Sequence, residues 1–162
     1  MPFAPVFEEV AESEIVEKIM AVVERDMKAA LDNWYASDDL PVFVVMTEGD
    51  QDEFRYPLLT LVVQEMASDE SISGEYLDQE LRVGAAIAVS DVTIKDVRHK
   101  AKKYVRAFKA VLRAGVLELL PAASRYTSYT ISFRHRYFKH GTAGVLFTQA
   151  VEIAIQIKFG EM

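Results

Sequence analysis

ELRVGAAIAVSDVTIKDVRHKAKKYVRAFKAVLRAG, Glu80 to Gly115, changes its hydrophobic period at its midpoint. From Glu80 to Val89 the alternation is strict. Leu81, Val83, Ala85, Ile87 and Val89 share one face, and Glu80, Arg82, Gly84, Ala86 and Ala88 share the other, as a strand with one buried face requires. After Asp91 the spacing becomes helical, with Ile94, Val97, Ala101, Tyr104, Phe108 and Val111 forming a stripe on a cylinder that is otherwise basic. Asp91 or Thr93 is the expected cap, and Thr93 followed by Asp96 resembles a capping box with a shortened acid. Gly115, ahead of Pro121, is the expected stop, with Val116–Leu120 able to extend the turn.

Upstream, Ile15, Ile19, Val22, Val23, Met27, Ala30, Leu31 and Trp34 recur at three- and four-residue steps, predicting a helix from Ser13 to Trp34. Ser13 is its expected N-cap, with Glu14 and Glu17 near the positive end of the helix dipole. Residues 1–12 then read as an N-terminal extension. The runs PVFVVMT (Pro41–Thr47) and YPLLTLVVQEM (Tyr56–Met66) are β-branched or aromatic-rich and strand-length. Pro57 cannot donate a ladder hydrogen bond, so it belongs at a strand start or an exposed edge. ASDESISGEYLDQ, residues 67–79, is loop-like in composition and long for a compact domain, so it is expected to be a loop or an interaction arm.

Downstream, two more alternating runs are joined by KHGTAG, whose two glycines suit an antiparallel hairpin. In the first run, Tyr129, Ile131, Phe133, His135 and Tyr137 are expected on the core face, with Arg134 and Arg136 on the other. In the second, Val145, Phe147, Val151, Ile153, Ile155, Ile157 and Phe159 oppose Thr148, Glu152, Gln156 and Lys158. The predicted order is α-β-β-β-α-β-β. It describes a single α+β domain over residues 1–162, with an antiparallel or mixed sheet and two helices on one face.

Composition narrows function mainly by exclusion. The 51% hydrophobic and 27% charged content argues against disorder or a fibrous repeat. The absence of cysteine excludes disulfides, thiol nucleophiles and thiolate metal sites, and fits an intracellular assembly setting. The start MPFAPVFEEVAESE lacks a basic leader, and no run approaches the roughly 18 to 20 apolar residues of a spanning helix, so neither export by a signal peptide nor membrane insertion is expected.

His99, His135 and His140 match no metal-ligand spacing, and EGDQDEFRYP lacks the order of a calcium loop. Ser124 and Ser128 lie outside any GxSxG elbow, and no GxGxxG or GxxxxGK[ST] phosphate loop is present. The expectation is a protein that is not an enzyme and has no metal or cofactor.

Charge is the most informative property. The net −7 divides into −15 over residues 1–90, where twenty acids meet five Lys or Arg, and +8 over residues 91–162, where five acids meet thirteen. Such a chain can bring its opposite charges together within one fold, attract copies of itself head to tail, or present its basic part to a polyanion. The basic helix carries Lys95, Arg98, Lys100, Lys102, Lys103, Arg106, Lys109 and Arg113, and with Arg134 and Arg136 it could hold phosphates through counterion release. The acidity of the whole chain favours the other use, a helix outer face paired with acids of the same or a neighbouring subunit.

The strand ELRVGAAIAVSD leading straight into the helix KKYVRAFKAVLRAG, the terminal hairpin, and the last strand TQAVEIAIQIKFGEM give a pattern that resembles the tail terminator proteins of long-tailed bacteriophages. The resemblance is one of pattern and topology over most of the chain, with no diagnostic motif. It implies a structural virion protein of the tail or neck, assembled in the host cytoplasm. Such a protein forms a homo-oligomeric ring, typically a hexamer, that caps the tail tube and meets the head connector or stopper. It implies no catalytic site, and DNA passing through the lumen without sequence-specific binding.

On that basis Lys95, Arg98, Lys102, Arg106, Lys109, Arg134 and Arg136 are the candidate subunit interface. Another neck or head-completion protein, a nucleic-acid-binding module using helix 94–113, and an α+β enzyme with substrate beneath the helices remain as alternatives.

Overall fold

The computed structural model describes residues 7–49, 55–70, 77–120 and 126–161. Helix α1 (Phe7–Tyr35) and a 3-10 turn (Ala36–Asp38) lead to strands β1 (Val45–Glu48), β2 (Leu58–Glu70) and β3 (Leu77–Asp91). Helices α2 (Ile94–Ala114) and α3 (Val116–Leu119) follow, and β4 (Tyr126–Tyr137), β5 (Gly141–Ala143) and β6 (Leu146–Glu161) close the chain. The result is an α+β fold with a mixed six-stranded sheet in the order β1-β2-β3-β6-β4, β5 pairing with β6. All pairings are antiparallel except β1 with β2, which is parallel.

The strand order explains where α2 lies. β3 and β4 are both antiparallel to β6, hence parallel to each other, and a parallel return needs a crossover of a dozen residues or more. Helix α2 is that crossover, and it packs over β3 and β6, the strands it passes. Helix α1 lies on the same face, over β2 and against α2. Leu59 and Leu61, the odd-numbered residues from Leu81 to Val89, and those from Val151 to Phe159 are buried beneath the two helices. Each such Leu or Ile withdrawn from water contributes about 1.5–3 kcal/mol, which is why the pleat is so plain in the sequence.

Thr93 caps α2 as expected, its hydroxyl accepting from the Asp96 amide at 3.1 Å. Several boundaries move. Helix α1 begins at Phe7, so Ser13 lies inside it and residues 7–12 are helix instead of an extension; residues 1–6 lie outside the described residues. Of Pro41–Thr47, only Val45–Thr47 lies in a strand, which runs on to Glu48; Phe43 is buried by packing instead of pairing.

The expected loop 67–79 is largely a strand pair, since Ala67 to Glu70 pair with Glu80 to Leu77. Residues 71–76 lie outside the described residues. KHGTAG is not one loop: Gly141 starts β5, and the tight turn is made by Gly144 and Val145, with Gly144 at φ 62°. Val145, expected on the core face, is therefore 94% exposed.

Candidate subunit interface

Helix α2 presents the candidate cations on the flank turned away from its buried stripe of Val97, Ala101, Tyr104, Phe108 and Leu112. Lys100 and Lys103 are neutralised locally, by Asp91 at 3.5 Å and Asp38 at 2.6 Å. Arg106 lies over the Trp34 ring, 4.5 Å from its centroid. Arg113 reaches β4 and stacks on Phe133 at 5.1 Å. Lys109 donates to His135 Nδ1, also on β4. Burial, and then Arg113, lowers the Lys109 pKa, while burial and then Lys109 lowers that of His135. Lys95, Arg98 and Lys102 have no carboxylate partner among the described residues. Opposite charges thus meet within the fold only in part. Lys103–Asp38 and Arg25–Glu118 (2.6 Å) join the acidic and basic halves, and the outer flank of α2 keeps its charge.

Arg134 and Arg136 do not extend this flank. Arg134 is in register with Ala154 and Gly84, residues of the face that carries no helix, and Arg136 is aligned with Glu152 on that face. Arg136 is paired there with Glu152 at 2.9 Å and packs over Phe138. Arg134, with Gln64, Arg82, Ser132 and Gln156, lines an open hollow of about 380 Å³ and has no carboxylate partner among the described residues. The seven candidate residues therefore fall on two faces of the sheet, because the pleat turns Arg134 and Arg136 away from the helices; the sequence pattern also does not reveal that α2 leaves β4 largely uncovered.

That gap also corrects the expected burial of the β4 aromatics. Tyr129 and Tyr137 are on the helix-side face as predicted, but they are 43% and 39% exposed. They share that face with the cations of α2. Lys102, Arg106, Lys109 and Arg113 face His135 and Tyr137 across a groove of about 240 Å³. The aromatics are separated from Arg134 and Arg136, as the pleat requires, yet a second set of cations stands beside them.

Among the described residues, no group of three or more His, Asp or Glu is disposed to hold a metal ion, and no helix is long and apolar enough to cross a membrane. No protein-family model matches the chain, and no curated protein does. Among solved structures, the chain is similar to one chain of the virion of a native gene transfer agent (GTA) particle, with a TM-score of 0.50 at 9% identity. The match covers 91% of this chain and 94% of that one. At that identity the likeness shows the fold, which the two chains share over nearly their whole lengths.

Proposed function

We propose that this protein is a structural component of a phage-like virion, a tail terminator whose copies close into a ring between tail tube and head connector. The observation that carries this reading is the shared fold, end to end, with a chain of a gene transfer agent virion. The charge layout supports a ring: a closed cycle needs two different, complementary patches on each subunit, and this chain has an unneutralised basic flank and an acid-rich first half. The ring leaves DNA free to pass, and its neighbours are the tube below and the connector or stopper above.

Negative-stain microscopy of the purified protein tests this. Rings with an open centre are expected, and a uniform population of monomers at high concentration overturns the reading. A nucleic-acid-binding role gains one observation, the exposed Tyr137 beside Lys102, Arg106 and Lys109. Tight, salt-sensitive DNA binding by a monomer in a gel-shift series would favour it over the ring.

A further inference from the structure

The sheet ends in two unequal edges. On one side, β1 pairs only with Leu58–Leu61 of β2, and no described strand pairs with the outer edge of β2 from Val62 to Glu70. On the other side, no described strand pairs with the outer edge of β4. The two free lengths are level with each other. Following the register across the sheet, Val62 aligns with Gly84, Ala154 and Arg134, and Glu70 aligns with Leu77, Glu161 and Tyr126. A sheet edge of this length that no described strand covers is what proteins ordinarily shorten, twist away or cover.

We propose that the occupant of each edge is a second copy of this chain, the free length of β2 in one subunit adding to β4 of the next so that the sheet runs on between subunits. The charge pattern picks out this partner. Residues 62–70 contain Glu65, Asp69 and Glu70 and no Lys or Arg, while β4 contains Arg134, His135 and Arg136 and no acid. The directions agree as well, because β2 and β4 run oppositely within one subunit and therefore meet antiparallel in a copy turned about an axis along the strands.

Side chains match on both faces when the strands continue in line. On the helix-free face, the row Glu65–Arg82–Gln156–Ser132 adjoins the row ending in Arg134. Glu65 of the next copy then falls opposite Ser132 and diagonal to Arg134, a separation of about 7–8 Å that long side chains span. On the helix-side face, Val63 of the next copy falls opposite Phe133. Helix α1 rests on β2, so the same joint brings the α1 of the next copy beside the uncovered face of β4.

The proposal rests on the ring reading but is separable from it. Two exposed charges are reversed, Arg134→Glu in one variant and Glu65→Lys in another, and mass in solution is followed by sedimentation velocity alongside wild type. Each variant alone sets like charges across the joint and is expected to associate at least about tenfold more weakly. An equimolar mixture restores opposite charges at every joint, so assemblies of alternating subunits are expected to return. Unchanged melting temperatures of the two variants would exclude misfolding. If both variants assemble alone like wild type, or if mixing restores nothing, edge pairing is overturned while a ring through another surface stands. If wild type itself stays monomeric, both ideas fall.

Discussion

Tyr104 is fully buried in the stripe of α2, and its hydroxyl donates to the Pro41 carbonyl, with the Phe43 ring 5.6 Å away. That single bond ties α2 to the segment that enters β1 ahead of its ladder pairing. Burial pushes the phenol well above its usual range, so the donor persists wherever the protein is folded. Tyr104→Phe keeps the ring and removes the donor, and the expected loss is about 1 kcal/mol, read as a lower urea midpoint with unchanged slope. His135 makes a prediction in pH. Its folded pKa lies below the ordinary 6.5 because of burial and then Lys109. Between the two values the unfolded chain binds more protons, so the stability in question is complete above pH 6.5 and is lost as pH falls below it. Urea midpoints at pH 7.5 and pH 5, roughly one unit or more either side of the usual histidine pKa, should differ less in His135→Gln than in wild type.

Between elements, Gly115 at the end of α2 lies against Val22 of α1. Its φ of −98° does not require glycine, but a Cβ there would lie 2.9 Å from Val22 Cγ1 and 3.3 Å from the Val111 carbonyl oxygen. Gly115→Ala should therefore cost about 1–3 kcal/mol by forcing the helices apart, measurable as a fall in melting temperature. The sequence predicts a glycine at this helix end but assigns it to chain termination, since contacts between distant segments leave no local trace. The same distinction runs through the fold. β3, β6 and α2 are legible because each buries one face completely against another layer, which imposes a period of two or of about three and a half. The outer ends of β2 and β3 are not, because Ala67–Glu70 and Leu77–Glu80 pair through backbone ladders that do not select apolar side chains. Pro41–Thr47 misleads in the other direction, since Phe43 is apolar for packing and takes no part in the β1–β2 register. Of the candidate interface, the cations of α2 were visible in the sequence. Their separation from Arg134 and Arg136 follows from the pleat, which the alternation shows; the exposure of β4 beside them was not visible, because strand order is set by the crossover of α2 and not by any local pattern.

For the whole molecule, the consequence of this arrangement is a flank of α2 whose charge the subunit does not neutralise itself. Lys95, Arg98 and Lys102 have no carboxylate partner among the described residues, so replacing all three with Gln should leave the stability of the subunit nearly unchanged. If instead they face acids of the next copy, the same change removes attraction between subunits. Salt separates the two contributions. Raising ionic strength from about 0.1 M to about 1 M shortens the screening length from about 10 Å to about 3 Å, which weakens exposed charge pairs while sparing backbone ladders and apolar contacts. Wild-type assemblies should dissociate progressively over that range, and the triple Gln variant should start weaker and respond less. Sedimentation velocity at a series of salt concentrations measures both quantities. An identical salt dependence in the two proteins would remove the flank of α2 from the interface and leave the sheet edges as its only charged component.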